Sequence, residues 1–182
     1  MRPLPPDASA LLTELAAPPR LVAHLTAVHD VAVSLVDWLA LAYPGLVVDR
    51  EAVLFGAATH DIGKTIHVEE LSGPGTRHEP AGHRLLLERG VEPRRARFAG
   101  THGSWTADGV ELEDLLVSLA DKVWKAKREE SLETLVVERL AAFSGREPWE
   151  VFLGLDDQLT MLADGADERL AFQNSRPVTG SW

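Results

Sequence analysis

Residues 57–64 read Ala-Ala-Thr-His-Asp-Ile-Gly-Lys and place two potential metal ligands, His60 and Asp61, side by side at the polar end of an apolar segment. Counting back three, four and seven residues from Asp61 reaches only alanine and leucine, so a helical period turns its carboxylate toward the core. A buried carboxylate without a partner is strongly disfavoured. The segment therefore predicts either a basic side chain or a metal ion beside Asp61.

The composition is that of one globular domain, because 45% of the 182 residues are hydrophobic and can form a core. Acidic residues outnumber basic ones by 28 to 18, and the net charge of −10 argues against long nucleic acid as a partner. A small anionic substrate remains compatible, since the local charge at a site can oppose the net charge. The chain has no cysteine, so any metal would be held by nitrogen and oxygen ligands.

The first residues, Met-Arg-Pro-Leu-Pro-Pro, contain no apolar stretch of signal-peptide length. No later run approaches the ~18 consecutive apolar residues of a membrane span. We therefore expect a cytoplasmic protein that does not engage a membrane.

Apolar residues recur at three- and four-residue steps, and no segment alternates convincingly with the two-residue period of a strand. The pattern predicts an all-α fold, a compact helical bundle formed by a single domain over residues 1–182. Within it we expect a core at about 20–128, a C-terminal helical extension at about 131–172 and a frayed tail at 174–182.

The prolines near the start predict a short irregular lead-in before the first helix. Asp49 is suited to cap the second helix and Gly63 to mark its end. The predicted helices are 21–43, 49–60, 79–89, 93–101, 111–127, 132–143 and, as one or two helices, 148–170.

His24 lies in the apolar stripe of the first long helix, where a single inward histidine is more often a hydrogen-bonded core residue than a ligand. Other candidate ligands change that interpretation, because they follow along the chain at helix ends or on core-directed helical faces. Asp121 interrupts an apolar helix, although by itself it could be a solvated residue. The candidate set is His24, His60, Asp61, His78, His102 and Asp121.

This order of residues, a His, then His-Asp-Ile-Gly-Lys, then a later Asp beside Lys, resembles the HD superfamily of metal-dependent phosphohydrolases. The match covers roughly residues 24–127. The resemblance implies that His24, His60, Asp61 and Asp121 are the four defining ligands of a divalent ion. Manganese, iron, cobalt, nickel, zinc and magnesium are all candidates, since the residue types do not separate them.

The resemblance also implies a second ion held by His78 and His102, with Asp61 bridging both. His78 precedes Gly82 by four positions after a glycine-containing loop, and His102 follows at the end of the next predicted helix. Alternatively, these two histidines only hydrogen-bond substrate phosphate beside a single ion. The chain therefore predicts one or two bound ions.

Two basic residues are candidates for contact with substrate phosphate. Lys64 follows Asp61 by three positions and is expected to act in catalysis with it, or else only to neutralise it. Arg77 could grip two phosphoryl oxygens at once, or be a surface arginine. Lys125 is a weaker third candidate.

By this resemblance, the expected activity is hydrolysis of a small phosphorylated substrate, a nucleotide or a dinucleoside polyphosphate, through attack by a metal-bound hydroxide. Gly103 is followed by Ser104 and Trp105, so the Gly-Tyr-Pro signature of the superfamily's cyclic-dinucleotide phosphodiesterases is missing. The alternatives are a di-iron oxygenase on the same scaffold and a non-catalytic metal-binding sensor or interaction module. The sequence leaves the oligomeric state open.

Overall fold

The structure, a computed structural model, describes residues 1–178 and is all-α, with no strand among those residues. The first half of the chain supplies α1 to α4. Two short 3-10 helices, Ile62–Thr65 and Val68–Leu71, lie between α3 and α4. The second half supplies α5 to α10. The α-helices, in order from α1 to α10, are Pro6–Glu14, Pro19–Ala42, Arg50–Thr59, His78–Glu88, Pro93–Ala96, Phe98–Thr101, Leu112–Val123, Glu130–Ser144, Pro148–Asp164 and Ala166–Asn174.

Helices α2, α3 and α7 pack against one another and form the centre of the molecule. Phe98, Leu116, Leu119 and Val53 are buried in the apolar cluster between them. Each of the three helices carries candidate ligands at one end or along its inward face. The packing of the core therefore also determines where those side chains meet.

The boundaries of α2 and α3 follow from local chemistry. Pro19 occupies the first turn of α2, where the missing amide hydrogen costs nothing, and the helix ends before Pro44 and Gly45, which has a φ of +93°. The Asp49 side chain accepts a hydrogen bond from the Ala52 amide at 3.0 Å, as expected of the N-cap of α3.

The irregular lead-in predicted for the N-terminus is wrong, because residues 6–14 form α1. Pro6 lies at the first position of that helix, where its fixed φ suits helix initiation. Ala8 and Leu12 are then buried one turn apart against α3 and its neighbours. The prolines signalled the start of a helix and not its absence.

Two predicted helices also differ in length. The helix predicted at 93–101 is divided at Arg97 into α5 and α6. The helix predicted at 111–127 ends at Val123, since the Arg169 guanidinium donates to the Trp124 carbonyl at 2.7 Å and Ala126 adopts a positive φ of 59°.

The C-terminal extension returns to the start of the bundle, because α8 and α9 pack along α7 while α10 packs against α2. Asn174 ends α10, and Arg20 binds the segment that follows by donating to carbonyl oxygens of residues 174, 176 and 177. The frayed tail predicted from Asn174 onward therefore does not begin there. Its last part, 179–182, lies outside the described residues.

One described helix is long and apolar enough to span a membrane by length and composition, in contrast to the expectation that no run would be. It is α2, with a mean hydropathy of 1.5 over an 18-residue window. Within that window 56% of the residues are buried inside the bundle, and a core helix passes the same test.

His29, on α2, is a buried polar residue that lowers stability at acidic pH. It is 3% exposed, and its Nδ1 has no hydrogen-bond partner among the described residues. Burial, together with the charges of Arg2 and Arg50, lowers the pKa of His29 against the opposing effect of Asp30. Below a pH of about 6.5 the unfolded chain therefore binds a proton that the folded state resists, so stability falls with pH.

We expect His29→Leu to raise the free energy of unfolding by about 1 kcal/mol at pH 7, because an unpaired buried polar atom is removed. The difference from the wild type should widen as the pH falls from 7 to 5. Urea unfolding of the metal-free protein at a series of pH values measures both effects. A constant difference between the two proteins would contradict the assigned titration.

Candidate metal centre

His60 and Asp61 lie at the junction where α3 ends and the first 3-10 helix begins. Helix α3 ends at Thr59, His60 is its C-cap, and the tighter helix starts at Ile62. The two side chains are 0% and 4% exposed. The change of helical geometry at this point turns two consecutive side chains into one buried space.

Asp61 is the centre of this space, and each of its oxygens faces a different pair of histidines. Oδ2 lies 3.1 Å from His24 Nε2 and 3.6 Å from His60 Nε2. Oδ1 lies 2.9 Å from His78 Nε2 and 3.6 Å from His102 Nε2. A carboxylate placed in this way can bridge two cations.

Asp121 completes the first of these two groups from α7. Its Oδ1 lies 3.4 Å from His60 Nε2 and 3.8 Å from His24 Nε2. Ser118 and Asp114, one and two turns earlier on the same helix, are both buried. The face of α7 that carries Asp121 therefore points into the core and not into solvent. All six candidate ligands lie in one cluster.

Two of the imidazoles are oriented by the backbone of their own segment. His60 Nδ1 lies 3.0 Å from the Ala57 carbonyl oxygen, and His102 Nδ1 lies 3.2 Å from the Phe98 carbonyl oxygen. A carbonyl oxygen can only accept, so each Nδ1 carries the hydrogen and each Nε2 has a free lone pair.

The other two imidazoles are oriented by side chains that the sequence did not indicate. His78 Nδ1 donates to Glu70 Oε2 at 2.6 Å, and His24 Nδ1 contacts Gln173 Oε1 at 3.2 Å. Glu70 belongs to the second 3-10 helix and Gln173 to α10. Such hydrogen bonds hold metal-ligating histidines in the required tautomer and orientation.

The resulting arrangement fits a metal ion because imidazole nitrogens and carboxylate oxygens converge on one buried space. The Nε2 atoms of His24 and His60 are 3.3 Å apart. His78 Nε2 is buried and makes no hydrogen bond with any residue in the described range 1–178, although it lies 2.9 Å from Asp61 Oδ1. Electron-pair donors brought together in this way are stabilised by a cation.

Among residues 1–178, three overlapping groups have ligand atoms close enough to share an ion, and within each group these atoms lie within 4.8 Å of one another. Glu79, which the sequence did not single out, belongs to one of them, and burial raises its pKa. Imidazole and carboxylate donors are compatible with several divalent ions. The groups are His24, His60 and Asp121; His60, Asp61 and His102; and His78, Glu79 and His102.

Both aspartates remain ionised despite their burial. Burial by itself raises the pKa of Asp61, but His60, the other histidines and Lys64 outweigh it and hold that pKa well below its usual range. Burial and His60 have the same opposing effects on Asp121, whose pKa is also held well below its usual range. The centre thus provides two anionic ligands at neutral pH.

His102, whose Nδ1 donates to a backbone carbonyl and not to a carboxylate, stays neutral at pH 7. Burial, reinforced by His60, lowers the pKa of His102 to about 4. His78 differs, because Asp61 and Glu70 overcome the effect of burial and raise its pKa. Hydrogen bonds from His78 and the backbone in turn hold the pKa of Glu70 at about 2, against the effect of burial.

Two lysines border the cluster. Lys64 Nζ lies 2.6 Å from Asp61 Oδ2, and Lys122 Nζ lies 2.6 Å from Asp121 Oδ2. The predicted proximity of Lys64 to Asp61 is therefore present in the structure. Lys122 was not among the candidates, because its position next to Asp121 in a helix does not by itself place both side chains together.

Arg77 does not reach this centre. Its guanidinium is exposed and pairs with Glu69, with Glu70 Oε1 at 3.5 Å. Of the two interpretations that the sequence allowed, the structure corresponds to the surface arginine. The backbone amides of Arg77 and His78 both donate to Glu70, which directs the neighbouring imidazole inward instead.

A small cavity of about 160 Å³ opens beside the cluster. It includes Lys125, the weaker third candidate for phosphate contact, and residues from both ends of the chain. The lining residues are Arg20, His24, Asp61, Lys64, Leu71, Trp124, Lys125 and Gln173. Larger cavities of about 810 and 540 Å³ lie elsewhere and share none of these residues, so chemistry and not size identifies the site.

The contact between Glu70 and His78 makes a testable contribution to metal affinity. We expect Glu70→Gln to weaken binding of a divalent ion roughly 10- to 100-fold, because the imidazole loses its anionic acceptor. Isothermal titration of metal-stripped protein with Mn²⁺ or Zn²⁺ measures the change. Glu69→Gln, at the neighbouring exposed carboxylate, is the matched control, and equal affinities in the two variants would contradict the role of Glu70.

Comparison of the chain with protein-family models, with curated proteins and with solved structures found no match. The geometry of the cluster is therefore the basis for assigning function. It consists of an all-α bundle in which buried histidines and aspartates converge and could hold a metal ion.

Proposed function

We propose that this protein is a metal-dependent phosphohydrolase of the HD superfamily that cleaves a small phosphate ester, with nucleotides and dinucleoside polyphosphates as the candidate substrates. The observation that carries the proposal is the convergence of four histidines on both oxygens of Asp61, in a chain where they follow the HD order. Cationic side chains beside the same carboxylate suit an anionic substrate.

The residues divide into two groups around Asp61. One ion would be held by His24, His60 and Asp121 together with Oδ2 of Asp61. A second would be held by His78 and His102 together with Oδ1 of Asp61. Bound divalent ions lower the pKa of a coordinated water to about 7 and neutralise charge on the phosphoryl group. Magnesium, manganese, iron, cobalt, nickel and zinc all remain candidates for these ions.

Lys64 supports the reaction by its position at the mouth of the cluster. Cations bound to Asp61 would weaken the 2.6 Å contact between its Oδ2 and the Lys64 ammonium group, and Lys64 would then be placed to donate to phosphoryl oxygens. In the transition state the transferring group carries charge on its three equatorial oxygens, and a fixed cationic donor beside them stabilises it.

The proposal is tested by phosphate release from metal-stripped protein resupplied separately with each of the six ions. The substrates are mononucleotides, dinucleoside polyphosphates and an aryl phosphate. We expect metal-dependent turnover of at least one class, lost in His60→Gln and kept in His83→Gln, a histidine outside the cluster. Stoichiometric metal binding without turnover would reject the proposal, and oxygen consumption with iron would then identify an oxygenase and its absence a sensor.

A further inference from the structure

The cavity beside Asp61 is too small for a whole nucleotide. Its volume is about 160 Å³, whereas sites that enclose drug-sized ligands occupy roughly 300–1,000 Å³. Asp61 and His24 form the wall that faces the cluster. A ligand that reaches the metal centre through this cavity therefore places only a small terminal group inside it.

Three cations surround that space although the chain as a whole carries a net charge of −10. Lys64 stands beside Asp61, and Lys125 is exposed at the rim with its Nζ 5.9 Å from the centroid of the Trp124 ring. Arg20 approaches from the start of α2. Positive charge is therefore concentrated around this cavity, which suits a small ligand group that carries more than one negative charge.

The C-terminal segment holds the opposite wall in place. Arg20 uses Nε and Nη2 to donate to the carbonyl oxygens of Arg176 and Asn174, at 3.2 and 3.4 Å, while its Nη1 has no hydrogen-bond partner among the described residues. Gln173 is hydrogen-bonded to His24 at 3.2 Å. The segment after α10 and Gln173 thus fix two of the residues that line the cavity, Arg20 and His24.

Trp124 forms another part of the wall and is also fixed from α10. Its carbonyl accepts a hydrogen bond from Arg169 at 2.7 Å, and its ring stands edge to face with His24, at a centroid distance of 4.9 Å. Trp124 as a residue is 3% exposed. Displacing the indole would break its contact with His24 on α2, while Arg169 of α10 holds the backbone of the same residue.

We propose that the substrate is a phosphate monoester whose terminal phosphoryl group enters the cavity end on, while the leaving group stays outside. This inference rests on the proposed hydrolytic function. The oxygen of water forms a bond to phosphorus, the bond from phosphorus to the ester oxygen breaks, and that oxygen takes up a proton. The products are an alcohol and inorganic phosphate, with no change of oxidation state.

Monoesters match the cavity in both charge and shape. A phosphate monoester carries about −1.5 to −2 charges at pH 7 and presents three terminal oxygens, which suit Arg20, Lys64 and Lys125. A diester carries one charge and has a second substituent, for which a cavity of about 160 Å³ offers little room. The internal phosphates of dinucleoside polyphosphates have the same disadvantage.

The closing experiment compares 4-nitrophenyl phosphate with bis(4-nitrophenyl) phosphate, which share a leaving group, and adenosine monophosphate with diadenosine tetraphosphate. All are assayed with the metal-loaded protein. We expect kcat/KM to be at least 10-fold higher for the monoester of each pair. An equal or higher value for the diester or the tetraphosphate would overturn the inference and leave the phosphohydrolase itself standing.

Substitutions test the cavity directly. We expect Arg20→Met and Lys125→Met to raise the KM for the monoester about 10-fold with little change in kcat, and to weaken binding of inorganic phosphate equally. Arg84→Met, on the exposed face of α4, is the control. Lys125 is exposed at the rim, so its variant retains the fold even if Arg20→Met does not.

Metal content separates the possible failures. Unchanged KM values and phosphate affinity in the two variants, with wild-type metal content, would overturn the assignment of the cavity. No hydrolysis of any of the four substrates by the metal-loaded wild type would instead overturn both the proposed function and this inference.

Discussion

Asp61→Asn should lower the affinity for divalent ions by at least about 100-fold and abolish metal-dependent phosphate release. Changes in the outer shell of metal sites already cost roughly 10- to 100-fold in affinity, and Asp61 faces all four histidines directly. The amide keeps the shape of the side chain but removes its charge and half of its acceptor capacity. Metal content after dialysis, together with titration calorimetry, measures the loss.

Asp164→Asn is the matched control for this substitution, because Asp164 is exposed at the end of α9, away from the cluster. It should bind metal like the wild type. Circular dichroism must show the same helical content in both variants. If Asp61→Asn retained full metal content and turnover, the metal centre would have to lie elsewhere in the molecule.

Gly63→Ala should lower the free energy of unfolding by about 3 kcal/mol or more and also impair metal binding. A Cβ atom at this position would overlap the carbonyl oxygen of His78 and lie 2.6 Å from the backbone nitrogen of Gly82. Both are backbone atoms of α4, so no side-chain rotation relieves the overlap. Helix α4 would have to shift away from the 3-10 helix that contains Gly63, and His78 would shift with it.

Gly100→Ala provides the control, since a Cβ there would make only ordinary contacts with His83, at 3.6 Å. We expect that variant to be at least as stable as the wild type, because alanine favours a helix over glycine. Urea unfolding and metal titration of both variants give the comparison. Equal stability of Gly63→Ala and Gly100→Ala would show that α4 tolerates the displacement.

Gly63, in the motif His-Asp-Ile-Gly-Lys at residues 60–64, has a structural role that the sequence did not predict. Its position after an apolar helix predicted a helix end, whereas α3 ends four residues earlier, at Thr59. Gly63 is required for the close approach of two backbones. No local pattern reports this, because the other backbone belongs to residues 78–82.

The candidate ligands were predictable because each lies at a helix end or on an inward helical face. The residues that orient them were not. Glu70 reads as one acidic residue in a polar stretch, and Gln173 is separated from His24 by 149 positions. For Arg77 the sequence left two interpretations open; in the structure its neighbour His78 points inward while the arginine pairs with Glu69 at the surface.

Local sequence was enough to establish an all-α chain and the identity of its histidine and aspartate donors, because helical periodicity and side-chain chemistry act over a few residues. Packing decided the remainder. Contacts among distant segments set which oxygen of Asp61 faces which histidine, placed Gln173 and Glu70 behind two of the rings, and closed the cavity with α10. Such contacts form only when the helices pack, since their partners lie far apart along the chain.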